Sequence, residues 1–354
     1  MYNRITPSNL TRFNAAKLAG NAKLMFIGDS NTVGEGAGAG PSFTENSRFN
    51  GYASLVLDTL GYHNQSCWAD GNVPVNSITL PQYDPRVTFG AKWASDLSGS
   101  IGGNWLNVPS ANIAGSGSFK LTCASNFDSF ELYFPISTYG NNAVHVYVDS
   151  ILVDTINQNQ PAGFVKKTYT VTRGSHYIEL SGNGLGQVYL NGILVKDSLN
   201  TKGYGLISGH CGGTVASTIT TLPYQALAAV NVINPDLIIY NMTVNDCNAS
   251  TTLSTYRNNL EIFLKNSTAN GVLMAGFPSS SANTDGALLD QYSTKLQELA
   301  SDYAWGYFDA RSIFGASWNR ANNLTLAKDA NHPNVLGHQK LASGLSDYLL
   351  SIGA

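Results

Sequence analysis

The chain has 354 residues, a formal net charge of −3 and only 12% charged side chains, so its surface must be rich in uncharged polar residues. This charge gives no electrostatic basis for binding nucleic acid, and no apolar run is long enough to span a membrane. The length exceeds that of a usual single domain, so we expect two domains.

The amino-terminal ten residues lack the apolar core of a signal peptide. We therefore expect either export without a conventional signal or release with a particle by lysis, and hence an extracellular or virion-associated protein. The four cysteines lack the paired spacing of a zinc site, and we predict neither a metal nor a cofactor.

The first predicted strand runs through the apolar residues 23–27 and leads into Gly28, Asp29 and Ser30. In an open α/β sheet, ligands bind beyond the carboxyl ends of the strands, where backbone N–H groups can face a developing negative charge. Ser30 is therefore a candidate nucleophile. The alternative is that Asp29 and Ser30 only form a turn that caps a helix.

A helical pattern follows at residues 46–60, and a short strand is predicted near 63–69. The next segment has short alternating runs separated by turn residues, a pattern typical of a β-sandwich. Its predicted strands cover residues 119–123, 129–134, 143–148, 151–155, 167–171, 176–180 and 187–195. Tight hairpin turns are predicted at 148–151 and, with an Asn191-Gly192 pair, at 190–193.

Aromatic residues of this β segment are candidates to stack on sugar rings, although most aromatic side chains in a sandwich belong to its core. The candidates are Trp93, Trp105, Tyr133, Tyr139 and Tyr147. In the strand at 143–148 the valines share one face, so we expect His145 and Tyr147 to be exposed or to lie at a domain contact.

After residue 203 the chain again alternates between helical and strand patterns. Helices are predicted at 215–232, 252–269, 286–301 and 337–352, and strands at 235–245, 272–277 and 304–309. The alternation predicts a doubly wound parallel α/β sheet with helices on both faces, a three-layer, flavodoxin-like arrangement. Residues 1–74 and 201–354 are expected to form this domain, and residues 75–200 an inserted all-β sandwich.

Near the carboxyl terminus, Asp329 and His332 lie three residues apart, and Pro333 follows. Histidine is the side chain whose pKa suits proton removal near neutrality, and a carboxylate fixes its tautomer. Pro333 restricts the preceding residue to extended geometry and so favours a defined loop. His332 is therefore a candidate base for Ser30, with Asp329 as its partner.

Taken together, Gly28-Asp29-Ser30 and the Asp329, His332, Pro333 motif resemble the GDSL or SGNH hydrolase family. The resemblance implies that Ser30 is the nucleophile, that His332 is general base and then general acid, and that Asp329 orients His332. It also implies an oxyanion hole made by the backbone N–H of Ser30, a glycine N–H and an asparagine side chain.

Two further segments match the family's oxyanion-hole motifs. The strand at 235–245 ends in Asn245-Asp246 and resembles the family's Gly-x-Asn-Asp, with Thr243 in place of the glycine, so Asn245 is the expected amide donor. Residues 209–214 resemble Gly-x-x-Gly-x-Thr, which makes Gly212 the expected N–H donor and Gly71 its competitor. In the alternative interpretation, Asn245 and Asp246 only cap the next helix.

The β insertion resembles the carbohydrate-binding modules of polysaccharide and peptidoglycan O-acetylesterases. The glycines after Ser30 give no sign of a tunnel for a long acyl chain, which favours an acetyl group. We therefore expect a serine esterase, a carbohydrate O-acetylesterase of a phage tail, whose partner is an acetylated polysaccharide. Its candidate substrate-binding residues are His210, Trp93, Trp105 and Tyr147.

Two alternatives stay open at this point. A lipase or acyl-thioesterase of the same fold would prefer long acyl chains, and a phage-tail adhesin would bind polysaccharide without releasing acetate. A glycosidase would need two placed carboxylates. We interpret Asp29 and Asp246 instead as supports of the serine and asparagine loops, and we expect His338 to cap or pack the last helix.

Overall fold

The structure is a computed structural model that describes residues 7–38, 47–68, 80–90, 94–96, 105–108, 118–183, 185–210, 212–219, 226–280 and 287–354. Its strands in chain order are β1 (Ala22–Asp29), β2 (Cys67–Trp68), β3 (Val87–Phe89), β4 (Ala94–Asp96), β5 (Trp105–Val108), β6 (Phe119–Ile136), β7 (Val144–Val148), β8 (Ile151–Ile156), β9 (Gly163–Ser181), β10 (Val188–Leu190), β11 (Gly192–Lys196), β12 (Gly203–His210), β13 (Leu237–Asn241), β14 (Asn270–Ala275) and β15 (Gly306–Asp309).

The α-helices in chain order are α1 (Thr11–Leu18), α2 (Ser30–Val33), α3 (Ser47–Asn50), α4 (Tyr52–Leu60), α5 (Leu80–Tyr83), α6 (Val215–Thr218), α7 (Ala226–Ile233), α8 (Val244–Asn248), α9 (Leu253–Asn266), α10 (Ala287–Asp302), α11 (Trp318–Asn323) and α12 (Val335–Ile352). Two 3₁₀ helices cover Pro7–Leu10 and Ala310–Phe314. The predicted helix at 215–232 is thus α6 and α7, with residues 220–225 between them outside the described part of the chain.

Five of the described strands form a parallel sheet in the order β12-β1-β13-β14-β15. The strands are apolar and largely buried, as is typical of a parallel sheet covered on both faces. Strand β1 lies between β12 and β13, so that Gly28 is paired with Gly209 on one side and Asn241 on the other. This arrangement confirms the predicted doubly wound α/β fold.

Strand β12 is missing from the sequence prediction because three glycines and a histidine interrupt its apolar pattern. One of these glycines lets α4 approach, since a Cβ on Gly205 would lie 2.3 Å from a methyl carbon of Leu57. The strand predicted near 63–69 is instead β2, which pairs with β11 in a different sheet. The chain therefore fills the place beside β1 only when it returns after residue 203.

Helices cover both faces of the parallel sheet. On one face, side chains of α1, α4 and α12 pack with those of the strands, among them Phe26 and Leu345. On the other face the core includes Tyr240 and Phe263, whose ring centroids lie 4.6 Å apart. Each face is thus a continuous apolar layer, which holds the strand ends at one edge in fixed positions.

A seven-stranded sheet built mainly of long antiparallel strands lies beside this domain, with strands in the order β2-β11-β6-β9-β7-β8 and β3 paired with β6. The strands predicted at 119–123 and 129–134 are one strand, β6, and those at 167–171 and 176–180 are one strand, β9. Irregular register between Cys123 and Ser129 marks the place where the alternating pattern breaks. Strands β10, β5 and β4 form a smaller sheet.

The antiparallel sheet shares a core with the parallel sheet. Trp68 and Tyr133 have ring centroids 5.4 Å apart, and both belong to the buried cluster that contains Met25 and Ile27 of β1. The other face of this sheet has its own apolar core, with Phe130 and Leu132 of β6 among its members. The predicted boundaries at residues 74 and 200 stay a prediction; the change of sheet occurs between β11 and β12.

The two predicted hairpin turns have different outcomes. The turn between β7 and β8 is confirmed, because Asp149 and Ser150 have φ values of 49° and 67° and the two strands pair. The prediction at Asn191-Gly192 is wrong, because β10 pairs with β5 whereas β11 pairs with β6 and β2. Gly192 is required by the close packing of Trp68 against the backbone, since a Cβ on it would lie 2.1 Å from the ring of Trp68.

None of the helices in the described ranges combines the length and apolarity that crossing a membrane requires.

Candidate active site

Ser30 is the first residue of α2 and directly follows β1. Asp29 caps this helix, because its carboxylate accepts the backbone N–H of Asn31 at 2.9 Å. Asp29 is fully buried, and burial raises its pKa to about 6 against the opposing effect of that hydrogen bond. The capping turn therefore presents Ser30, 6% exposed, at the carboxyl edge of the sheet.

Two glycines around Ser30 are required by close contacts. A Cβ on Gly28 would lie 1.9 Å from the hydroxyl oxygen of Thr32, so only glycine lets the helix turn back over the strand. Gly36 has a φ of +93°, and a Cβ there would lie 2.0 Å from the carbonyl oxygen of Pro333. This second contact seats the loop after Ser30 directly against the loop that carries His332.

The structure brings three of the sequence-predicted residues together in a hydrogen-bonded chain. Nε2 of His332 lies 2.9 Å from Oγ of Ser30, and Nδ1 of His332 lies 2.9 Å from both carboxylate oxygens of Asp329. Burial by itself lowers the pKa of His332, but the hydrogen bond to Asp329 and the charges of Glu35, Asp329 and Asp29 outweigh it and raise the pKa. The pKa of Asp329 is held below its ordinary value, because the His332 contacts exceed the effect of burial.

The loop that carries Asp329 and His332 is fixed by hydrogen bonds of its own. The carboxylate of Asp329 also accepts the backbone N–H groups of Asn331 and His332, at 2.8 and 3.0 Å. The indole N–H of Trp318 donates to the carbonyl of Asp329 at 2.9 Å. The imidazole of His332 is therefore held by its surroundings, as a positioned base requires.

The predicted oxyanion residues lie on neighbouring segments at the same edge. The β1 and β12 register places His210 beside Asp29, and Gly212 follows two residues later with a φ of +74° and nothing within 4 Å of a Cβ placed on it. Asn245 donates from Nδ2 to the carbonyl of Gly213 at 3.0 Å. The amide has a second N–H, so this bond orients the group and leaves one donor for a ligand. The competing Gly71 lies outside the described residues.

The strand before Asn245 is shorter than predicted. It ends at Asn241, and Asn245 lies in the short helix α8. Thr243, which stands where the family has glycine, has a φ of −134°, a value that any residue adopts. Asp246 supports the site as expected, since its carboxylate accepts the backbone N–H of Val215 at 2.7 Å and so joins α8 to the segment after Gly212.

Two further buried residues lie at this site, and the sequence predicts a role only for His338. Glu35 is buried, and its Oε2 lies 3.2 Å from Nε2 of His332. His338 is also buried: the backbone N–H of Tyr52 donates to its Nδ1 at 3.2 Å, and its Nε2 lies 2.9 Å from the carbonyl oxygen of Glu35. Burial lowers the pKa of His338 to about 4, so the ring is neutral and donates its Nε2–H to Glu35. His338 thus has the packing role that we expected.

The candidate sugar-contacting residues differ in their exposure to solvent. Tyr147 and His145 are partly exposed on the face opposite the valines, with ring centroids 6.1 Å apart. Tyr133 is fully buried and is a core residue. His210 is partly buried, and burial lowers its pKa. Trp93 lies outside the described residues, and Trp105 begins β5 in a stretch whose side chains are not described.

Tyr139 differs from these residues in being 75% exposed. It lines a cleft of about 260 Å³ together with the amide side chains of Asn142, Asn159 and Gln187. Within the described part of the chain, no three His, Cys, Asp or Glu side chains are grouped so as to hold a metal ion.

Comparisons with solved structures identify relatives of this fold. A peptidoglycan O-acetylesterase matches 99% of this chain and 98% of its own length with a TM-score of 0.70 and 15% identity. Two further structures are similar over part of the fold only. A mutant acetylxylan esterase from Geobacillus stearothermophilus is 22% identical and matches 43% of this chain and 74% of its own, with a TM-score of 0.35. A mutant family two carbohydrate esterase from Clostridium thermocellum is 14% identical and matches 75% of this chain and 98% of its own, with a TM-score of 0.31. A search of curated proteins gives no significant match.

A family model provides the sequence evidence. Residues 182–340 match the GDSL-like lipase/acylhydrolase family, a segment that contains Asn245, Asp329 and His332 but not Ser30. Ser30 joins that segment through the fold, because β1 pairs with β12 and β13 and because Ser30 is hydrogen-bonded to His332. The match covers just under half of the chain, and in this part the chain is similar to the GDSL-like lipase/acylhydrolase family, with a fold like that of the peptidoglycan O-acetylesterase.

Proposed function

We propose that the protein is a serine esterase that removes acetyl groups from a glycan through Ser30, His332 and Asp329. The observation that carries the proposal is the hydrogen-bonded chain from Ser30 through His332 to Asp329, with 2.9 Å at each step. A nucleophile, a base and a group that orients the base form the arrangement that acyl transfer requires.

In the proposed reaction Ser30 Oγ attacks the ester carbonyl carbon while Nε2 of His332 takes the hydroxyl proton. The tetrahedral intermediate collapses, the bond to the sugar oxygen breaks, and His332 returns the proton to that oxygen. Water then attacks the acetyl-enzyme with His332 as base, and acetate leaves as Ser30 regains its proton. Asp329 stabilises the imidazolium in both halves without being protonated itself.

The oxyanion would be held by the backbone N–H groups of Ser30 and Gly212 and by the side-chain amide of Asn245. The hydrogen bond from Asn245 to Gly213 supports this assignment, because it couples the two segments that supply donors. The position of Gly212 after β12, the strand next to β1, favours it over Gly71.

An acetylated glycan is the substrate class that we propose. The structural relative with the highest TM-score reported above is a peptidoglycan O-acetylesterase, and the side chain hydrogen-bonded to Ser30 and the carboxylate beside it are both polar. The uncharged cleft at Tyr139 offers the exposed aromatic ring and amides that suit a neutral sugar. An extracellular or virion-associated place of action, as on a phage tail, agrees with such a substrate and is part of the proposal.

Substitution of the nucleophile tests the reaction. We expect Ser30→Ala to lower kcat/KM for a small aryl acetate by about 10⁴-fold or more, because the covalent step is lost. Ser351→Ala, at the exposed end of α12, is the matched control and should hydrolyse the ester like the wild type. Wild-type turnover in Ser30→Ala would refute the mechanism.

Two further measurements test the substrate. Acetate released from a panel of O-acetylated polysaccharides should identify the glycan, and release from none of them would argue against an O-acetylesterase. A series of nitrophenyl esters should show falling kcat/KM as the acyl chain lengthens. A maximum at long chains would support a lipase or acyl-thioesterase instead.

A further inference from the structure

Glu35 places a second carboxylate on the imidazole of His332. Its side chain is 9% exposed, and Oε2 lies 3.2 Å from Nε2 of His332. The same nitrogen lies 2.9 Å from Ser30 Oγ. Two acceptors of different charge therefore compete for one ring nitrogen, and Asp329 occupies the other.

The position of Glu35 is fixed by the backbone around it. The backbone N–H of Glu35 donates to the carbonyl of Ser30 at 2.9 Å, and the carbonyl of Glu35 accepts the Nε2–H of buried His338 at 2.9 Å. Gly34 and Gly36 on either side have positive φ, and Gly36 packs against the carbonyl of Pro333. The carboxylate is thus held in the site by the same contacts that join the two loops.

The charge state of His332 decides whether this contact is attractive. When Nε2 is protonated, its single N–H can be shared by Ser30 Oγ and the Glu35 carboxylate. When Nε2 is neutral, its lone pair accepts the Ser30 hydroxyl, and the lone pair and the carboxylate repel each other. Glu35 therefore favours the imidazolium over the neutral imidazole.

Asp329 and Asp29 act on His332 in the same direction as Glu35, and Lys328 is the cation of the same loop, with its backbone N–H donating to the carbonyl of His332 at 2.8 Å. Asp329 contacts Nδ1, and the buried carboxyl of Asp29 lies beneath at the end of β1. Two further imidazoles lie nearby: His338 of α12, whose pKa burial lowers to about 4 so that it carries no charge near neutrality, and His210 beside Asp29, whose pKa burial also lowers. The raised pKa of His332 agrees with this environment.

We propose that Glu35 is a positioning residue that shares the Nε2 proton of His332 with Ser30, so that it stabilises the imidazolium formed during attack and shifts the reactive neutral form to higher pH. In the proposed reaction the proton moves from Ser30 Oγ to Nε2 and then to the leaving oxygen, while Glu35 stays a carboxylate throughout. The kinetic part of this inference rests on the esterase function proposed above; the proton-sharing part does not.

The kinetic test is the pH dependence of kcat/KM for an aryl acetate. We expect Glu35→Gln to move the acidic limb to lower pH by about one unit or more, since a nearby opposite charge shifts a pKa by about that amount. The alkaline plateau should fall severalfold because the imidazolium is less stabilised, so the two profiles cross and the variant is faster at acidic pH. A purely structural role would lower activity at every pH.

The control variants separate charge from fold. Glu298→Gln, on the last turns of α10 at the opposite edge of the sheet, should leave the limb unmoved. Glu35→Asp keeps the charge but withdraws it by one methylene, and its limb should lie between those of the wild type and Glu35→Gln. If Glu35→Gln does not fold, the test is the comparison of Glu35→Asp with the wild type, in which the acidic limb of the variant should lie at lower pH.

Nuclear magnetic resonance supplies a readout that needs no activity. The imidazole signals of His332, assigned by their loss in His332→Ala, should titrate about one unit lower in Glu35→Gln than in the wild type. An unmoved titration would overturn the proposal. A shifted titration in a protein that hydrolyses no ester would support the His332–Glu35 pair and refute the esterase function.

Discussion

Buried or partly buried carboxylates occur in both the antiparallel and the parallel region of the molecule, but their partners differ. In the antiparallel region Glu131 contacts Lys196 and lies 3.7 Å from Lys166, and Asp84 lies 2.6 Å from Arg86. In the parallel region Asp29, Glu35 and Asp329 surround the one imidazole of His332. Carboxylates paired with permanent cations have a fixed charge and a structural role, whereas carboxylates around a titratable ring set its protonation, which is what catalysis uses.

The pKa values of Glu131 and Asp29 differ between the two regions in the same way. Burial alone would raise the pKa of Glu131, but Lys196, Tyr133 and Lys166 hold it below its ordinary value. Burial raises the pKa of Asp29 to about 6, because a backbone hydrogen bond and a histidine compensate it only in part. Substitutions in the two regions should therefore have different readouts.

After substitution of Ser30 itself, the largest effect is expected at Asp329. Asp329→Asn should lower kcat for an aryl acetate by about 10³- to 10⁴-fold, because the amide stabilises the wrong tautomer of His332 and no imidazolium. The measurement is steady-state kinetics, with the exposed Asp302→Asn as control. A loss below tenfold would mean that His332 does not depend on this carboxylate.

A smaller loss is expected at Asn245. Asn245→Ala should lower kcat by about 10²- to 10³-fold with little change in KM, because an oxyanion donor acts in the transition state. Asn266→Ala, at the exposed end of α9, is the matched control for an asparagine at the opposite edge. If Asn245→Ala raised only KM, the amide would bind the ground state, and the oxyanion assignment would fail.

The smallest kinetic effect is expected at Glu131, where the change should appear in stability. Glu131→Gln should lower the free energy of unfolding by about 1 to 3 kcal/mol, because Lys196 and Tyr133 lose a charged partner. Urea denaturation measures this change, while kcat for an aryl acetate should stay within about twofold. A large loss of kcat with unchanged stability would contradict the division between the two regions.

The sequence predicts the site where local patterns carry the information. Ser30 follows an apolar strand, and Asp329 and His332 lie within one loop, so motif and spacing were sufficient to select them. Glu35 could not be selected in this way, because a lone acidic residue among glycines is typical of an exposed loop. Its burial results from Pro333 and His338, about 300 residues away in the chain.

The fold shows the same limit. Strong periodicity predicts α12 and β14 within a few residues, whereas the glycines of β12 hide a strand that the parallel sheet requires. At Asn191-Gly192 the local preference for a turn is overridden by the Trp68 ring, a tertiary contact that no short pattern contains. Asn245 lies at the sheet edge as expected, but in a helix and not at the end of a strand, and its role stays a prediction.

The position of β1 between β12 and β13 has a consequence for biosynthesis. Ala22 pairs with Gly203 and Leu24 with Leu237, so the first strand leaves the ribosome long before either of its neighbours. The hairpin of β7 and β8 closes through a two-residue turn, so it can form before the partners of β1 have been made. We expect the antiparallel region to fold first, and Ser30 to meet His332 only after the loop that carries Asp329 and His332 has been made.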